Sequence, residues 1–297
     1  MRRDNPWVIA IVAVIVTIIL GLIVSGIDEH KEEELLKSQI DSSVQNAETL
    51  LNIGLNEEAI TILEDTLKLF SRKQFSEKYG RIKYDLGYAF SNLALFDKKE
   101  ENVERAIGAY EAALEIYTIE KYPVDYAMTQ NNLGIAYKTL AEVREKEENA
   151  KRAIGAYEAA LEIYTIAKYP VDYAMTQINL GTAYRTLAEV REKEENTKRA
   201  IKAFEAALKI YTIEKYPVNY AVTQNNLGNA YITLAEVREK EENVKRAIGA
   251  YEAALEIRTI EKYPVDYAQT QNNLEIAYSI LAENKNLSKT VSNLPVF

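Results

Sequence analysis

Apolar residues recur at helical spacing through most of this chain, and the stretches that carry them come in pairs. In the segment 126–169, Leu133, Ala136, Tyr137 and Leu140 share one face of a helix predicted from about Val124 to Glu145. A charged run follows, Arg144-Glu145-Lys146-Glu147-Glu148, and then Asn149, which reads as the N-cap of a second helix. That helix sets Ala153, Ile154, Tyr157, Ala160, Leu161 and Tyr164 on one face. It is predicted to end before Tyr169-Pro170, because a residue preceding proline is pushed out of the α region. Pro170 then opens the next helix at its first position, where a missing N–H costs nothing, as do Pro123, Pro217 and Pro264.

The pattern is a repeat. Ala-Ile-Gly-Ala-Tyr-Glu-Ala-Ala-Leu-Glu-Ile opens at Ala106, Ala153 and Ala247, and in altered form at Ala200, each start 47 residues after the last. A fixed period of this size marks one supersecondary unit that buries its apolar face only by stacking on copies of itself. Full units are predicted at 79–122, 126–169, 173–216 and 220–263, the first of them degraded. A short unit at 44–78 precedes them, its first helix using Leu36, Ile40, Val44, Ala47 and Leu51. A lone first helix at 267–283 follows, with Glu275 where other copies have glycine. The tail, 284–297, is expected to be loose.

Leu133-Gly134, Tyr137, then Ala153, Tyr157 and Ala160 with a later proline, resemble the tetratricopeptide repeat signature. The usual unit is about 34 residues. Here the extra length falls between Tyr137 and Ala153 and before the proline, so both helices are expected to be longer. The Asn-Asn-Leu-Gly run is similar to the long units of kinesin light chains. The resemblance implies an all-α, right-handed superhelical solenoid of about five antiparallel helix pairs, over 44–283, whose concave groove binds a protein or peptide.

The ends differ from the body. From Trp7 to Ile27 there are 21 residues without a charge, enough at 1.5 Å each to cross a hydrocarbon core of roughly 30 Å. The run exceeds the apolar region of a cleaved signal peptide and ends on a poor small-x-small site, Val24-Ser25-Gly26. One transmembrane helix over 7–27 is therefore expected, contacting the lipid bilayer, with residues 1–6 before it and an acidic segment, 28–43, after it. Arg2 and Arg3 precede the span whereas Asp28, Glu29, Glu32, Glu33 and Glu34 follow it, which predicts a single-pass protein, N-terminus cytoplasmic and repeats outside.

The formal net charge of −9 would repel phosphate backbones and argues against nucleic acid. There is no cysteine, hence no disulfide or thiolate metal site. All 21 tyrosines lie between Tyr79 and Tyr278, mostly at periodic positions, as packing residues do. His30 stands alone in an acidic segment without converging partners. No phosphate loop, metal spacing or nucleophile arrangement is present. Neither catalysis nor a cofactor is expected.

Differences among copies point to a surface. Ala106–Arg152 and Ala153–Arg199 differ at 5 of 47 positions, three of them in the first helix. With the third copy, positions 128, 131, 135 and 138 define a stripe within an arc of about 80°. Its candidate groove residues are Asn131, Ile178, Asn225 and Asn272; Ile135, Thr182 and Asn229; and Lys138 and Arg185. Beside it runs a constant row, Asn132, Asn179, Asn226 and Asn273, preceded by Asp85. Mid-helix asparagine costs about 0.6 kcal/mol relative to alanine, so the row implies either inter-helix bonds or amides that grip a peptide backbone. The expected function is a membrane-anchored scaffold with a protein or peptide partner. The alternative is a self-assembling spacer, with the unfinished C-terminal helix accepting another copy.

Overall fold

The computed structural model describes residues 29–292. Among these the chain forms eleven α-helices: α1 Glu29–Asn52, α2 Asn56–Leu67, α3 Ser76–Leu93, α4 Lys99–Leu114, α5 Pro123–Ala141, α6 Lys146–Leu161, α7 Pro170–Ala188, α8 Lys193–Leu208, α9 Pro217–Ala235, α10 Lys240–Leu255 and α11 Pro264–Ser292. Each helix packs on its sequence neighbours, giving five successive pairs and a final single helix. First helices of adjacent units also touch one another, whereas second helices make no comparable contact. The array therefore curves toward its first helices, which line the inner face. It is a helical repeat solenoid.

The close approach within each of the four full units depends on one glycine. A Cβ placed on Gly134 would lie 2.6 Å from the Tyr157 ring, and Gly181 and Gly228 meet Phe204 and Tyr251 at 2.7 and 2.5 Å. These rings are almost fully buried. In α11, Glu275 takes the glycine position, and among the described residues no second helix follows to pack on it.

The turn inside each unit differs from the sequence expectation. Helix α5 stops at Ala141, not Glu145, and α6 starts at Lys146, so Asn149 sits inside the helix instead of capping it. The residue before α6, Glu145, is left-handed at φ 46°, and Lys98, Glu192 and Glu239 repeat that conformation. A non-glycine residue there costs about 1–2 kcal/mol. Asn149 offsets the strain: its Nδ2 donates to the Arg144 carbonyl at 3.0 Å, while its backbone N–H donates to the Glu145 carbonyl at 3.0 Å. Asn102, Asn196 and Asn243 do the same in their units. The asparagine ties down the turn from within.

The residues before each proline do not lengthen the second helix. Helix α6 ends at Leu161 and a loop follows, in which buried Tyr164 packs on Ala127 and Ala160 and meets Tyr169 edge-on at 5.7 Å. Burying that ring favours a loop over a further helical turn. Charged residues at the unit ends pair between copies, as in Lys146 to Glu189 at 2.8 Å and Arg191 to Glu147 at 3.0 Å. Such exposed pairs are each worth a few tenths of a kcal/mol.

Two expectations about the ends are corrected. Helix α11 continues past Glu283 to Ser292, so the tail expected to be loose begins as helix. The expected membrane span, 7–27, lies outside the described residues. Among the described residues no helix is long and apolar enough to cross a membrane. The first of them, α1, opens on exposed charged side chains. A single-pass membrane location is therefore not upheld.

Candidate functional site

The inner face formed by the first helices is the candidate site, and its asparagines turn out to bond to each other. Asn179 Nδ2 donates to Asn131 Oδ1 at 3.3 Å, and Asn273 Nδ2 donates to Asn225 Oδ1 and Asn229 Oδ1 at 3.4 and 3.3 Å. Asn132 Nδ2 donates to the Tyr84 hydroxyl at 2.9 Å. The hydroxyls of Thr176 and Thr270 add bonds to Asn131 and Asn225, both at 3.3 Å. Asn131 and Asn225 are 4% and 5% exposed, closed between neighbouring first helices, so a ligand does not reach them. Asn272, on the last described helix, is exposed. Of the two roles open for the constant row, inter-helix bonding is the one seen at Asn132, Asn179 and Asn273.

Ile178 interrupts this network. It occupies the place of Asn131 and Asn225, and Asn226, which would bond to it, has no side-chain hydrogen bond among the described residues. Thr223, the counterpart of Thr176, donates only to the Asn219 carbonyl at 2.6 Å. The two asparagines should therefore respond in opposite directions to alanine. Asn179→Ala loses a bond worth about 1 kcal/mol against a gain of about 0.6 kcal/mol in helix propensity, and lowers the urea midpoint slightly. Asn226→Ala loses none, gains about 0.6 kcal/mol of helix propensity and raises it. Equal shifts would mean that the amide bonds contribute nothing.

The variable stripe also follows internal packing. Asn229 Oδ1 accepts from the Tyr251 hydroxyl at 2.8 Å. One unit earlier the ring is Phe204, without a hydroxyl, and position 182 is threonine, bonded to the Ile178 carbonyl at 2.9 Å. In the unit before that, position 135 is isoleucine and the buried Tyr157 hydroxyl has no partner. Burial pushes that phenol far above the usual tyrosine range. Tyr157→Phe should accordingly stabilise the protein by about 1 kcal/mol, whereas Tyr251→Phe should destabilise it by a similar amount. Thermal melts of the two variants test this, and shifts of the same sign would contradict it.

Other stripe residues remain open to a ligand. Lys138 and Arg185 are half-buried, as are Ile135 and Thr182, and neither cation is in an ion pair among the described residues. Burial lowers the pKa of Arg185, with Glu189 opposing the shift.

A recess of about 380 Å³ lies at the N-terminal end of the inner face, walled by α1, α3, the start of α5 and the loop before it. Three of its charged residues arise where the first full unit departs from the others: Glu77, Lys78 and Arg81 stand where the next unit has Val124, Asp125 and Met128, and Asp85, bonded to Arg81 beside the recess, stands where it has Asn132. Reading this unit as a degraded copy concealed the site, although that cluster of four changes was visible in the sequence. Arg81 Nε donates to Asp85 at 3.1 Å and its guanidinium reaches Glu48 at 2.9 Å. Asp85 is 3% exposed, and desolvation pushes its carboxyl up to about 6 although Arg81 pulls it down. A second recess, of about 190 Å³ and mostly apolar, follows between α3 and α5, lined by Tyr88, Leu95, Tyr110 and Ile135 among others.

No protein-family model and no curated protein matches this chain. Among solved structures it is similar to BtubC (BKLC) from P. vanneervenii, at 23% identity over 77% of this chain and 93% of that one, with a TM-score of 0.46. It is also similar to a chain from a computational design of self-assembling cyclic protein homooligomers, at 17% identity over 87% and 99%, with a TM-score of 0.18. Likenesses this loose leave function to the inner face itself.

Proposed function

We propose that this protein is a non-enzymatic scaffold of tetratricopeptide type, a right-handed superhelix that binds an extended protein or peptide segment along its first helices. The observation that carries the reading is the succession of recesses, of about 380 and 190 Å³, along the N-terminal half of the inner face. Beyond them lie Lys138, Arg185 and Asn226, polar groups in no hydrogen bond or ion pair among the described residues. Repeat arrays use concave surfaces of this kind for binding. A random peptide library panned against the full chain tests it. Bound peptides should be lost from a Tyr88→Ala, Leu95→Ala variant, which strips the second recess without changing charge, and kept by Val143→Ala, Val190→Ala at exposed sites outside it. The reverse pattern would refute binding on the inner face.

One observation favours a second reading, self-assembly through α11. Tyr137, Tyr184 and Tyr231 are 7–8% exposed, but their counterpart Tyr278 is 47% exposed, beside exposed Ile276. Sedimentation at rising concentration tests this, and a strict monomer excludes it.

A further inference from the structure

The N-terminal recess holds more acid than it neutralises. Four carboxylates, Asp41, Glu48, Glu77 and Asp125, line it against two cations, Lys78 and Arg81. Both cations are already engaged, Arg81 with Asp85 and Glu48, and Lys78 with Asp41. Neither Glu77 nor Asp125 is in an ion pair among the described residues, and Glu77 accepts only a long bond of 3.5 Å from the Tyr122 hydroxyl.

Tyr117 supplies a second, independent feature. It is 4% exposed, lines the same recess and directs there a hydroxyl that bonds to no protein group. Its counterpart two units on, Tyr211, donates to the Val171 carbonyl at 3.1 Å. The Tyr117 ring is held in place, lying 3.2 Å from where a Cβ on Gly80 would be and meeting Tyr122 edge-on at 5.5 Å. An unbonded hydroxyl on a buried tyrosine, two unpaired carboxylates and two aromatic rings thus line one space.

We infer that this recess receives a lysine or arginine side chain from a basic partner segment. The inference rests on the inner-face binding reading and names its partner class. An ammonium has three donors and no acceptor, matching the oxygens of Glu77, Asp125 and Tyr117. The aromatic walls suit both its apolar stem and its charge. An acidic side chain would meet net negative charge instead. The net charge of −9 also favours the approach of a basic partner.

Fluorescence anisotropy of the full chain with a labelled peptide of alternating lysine and serine, at physiological salt, tests the inference. Glu77→Gln with Asp125→Asn should weaken binding about tenfold, the scale of one lost charged hydrogen bond. Tyr117→Phe, which keeps the ring, should weaken it severalfold. Glu148→Gln with Glu195→Gln, an equal charge change at exposed second-helix sites, should leave it unchanged, and a glutamate–serine peptide should not bind. Matching thermal melts show that the variants fold. Equal affinities for the two double variants would overturn the inference, since general charge would then explain the binding. Library peptides that bind the inner face without lysine or arginine, and are indifferent to Glu77 and Asp125, would overturn it while sparing the groove. Absence of any inner-face binding would remove both.

Discussion

Gly134→Ala is expected to destabilise the protein by about 1–3 kcal/mol, the usual penalty for overpacking a close-packed interface. Alanine is the better helix former by about 1 kcal/mol, so a loss would show that packing outweighs propensity here. The new methyl would lie 2.6 Å from the Tyr157 ring, which is almost fully buried and cannot withdraw without separating α5 from α6. Gly181→Ala and Gly228→Ala should behave alike. Gly108, Gly155 and Gly249 are internal controls, since a Cβ on any of them meets nothing within 4 Å. Alanine there should stabilise by up to about 1 kcal/mol each, and the chain itself places Lys202 at the equivalent position. Urea unfolding followed by circular dichroism measures both sets. A stabilised Gly134→Ala variant would disprove close contact between the paired helices.

Asp85→Asn should stabilise the protein near pH 8 and change little near pH 4. In the folded chain the Asp85 carboxyl sits at about 6, against an ordinary value of 3.8. The folded state therefore favours the neutral acid. The stability this confers is fully present below about pH 4 and is lost as pH rises through 6. Desolvation is the main cause, with Glu48 adding repulsion and Arg81 opposing both. The difference amounts to about 2–3 kcal/mol at most, and asparagine removes it while keeping a side chain of the same shape at a position where later units already have asparagine. Melting temperatures of both proteins should diverge from about pH 4 upward and stay apart above about pH 6. Parallel curves would show that Asp85 ionises without penalty.

The sequence by itself determined the helix pairs, their period and their packing faces. Leu133, Ala136, Tyr137, Ala153 and Tyr157 fall at helical spacing, and every copy repeats them, so no tertiary information is needed to place them. Proline likewise marks the start of α5, α7 and α9, because its effect on the backbone is local. The glycine position was legible for a related reason, since close helix contact requires a missing Cβ wherever a ring lies opposite.

Only the tertiary structure decided which polar residues face a ligand and which face a neighbouring helix. Adjacent residues on a helix lie about 100° apart, so Asn131 and Asn132 look alike in sequence while one is buried between units and the other bridges to Tyr84. The stripe at 135, 182 and 229 faces the aromatic residue 22 positions later, a pairing that exists only once two helices are stacked. The bond of Asn149 runs backward to Arg144 across a left-handed turn, whereas a cap bonds forward, and the sequence pattern does not separate the two. The recess around Tyr117 gathers residues from the first helices of three units and a loop. Such convergence depends on the curvature of the whole array, which no single repeat encodes.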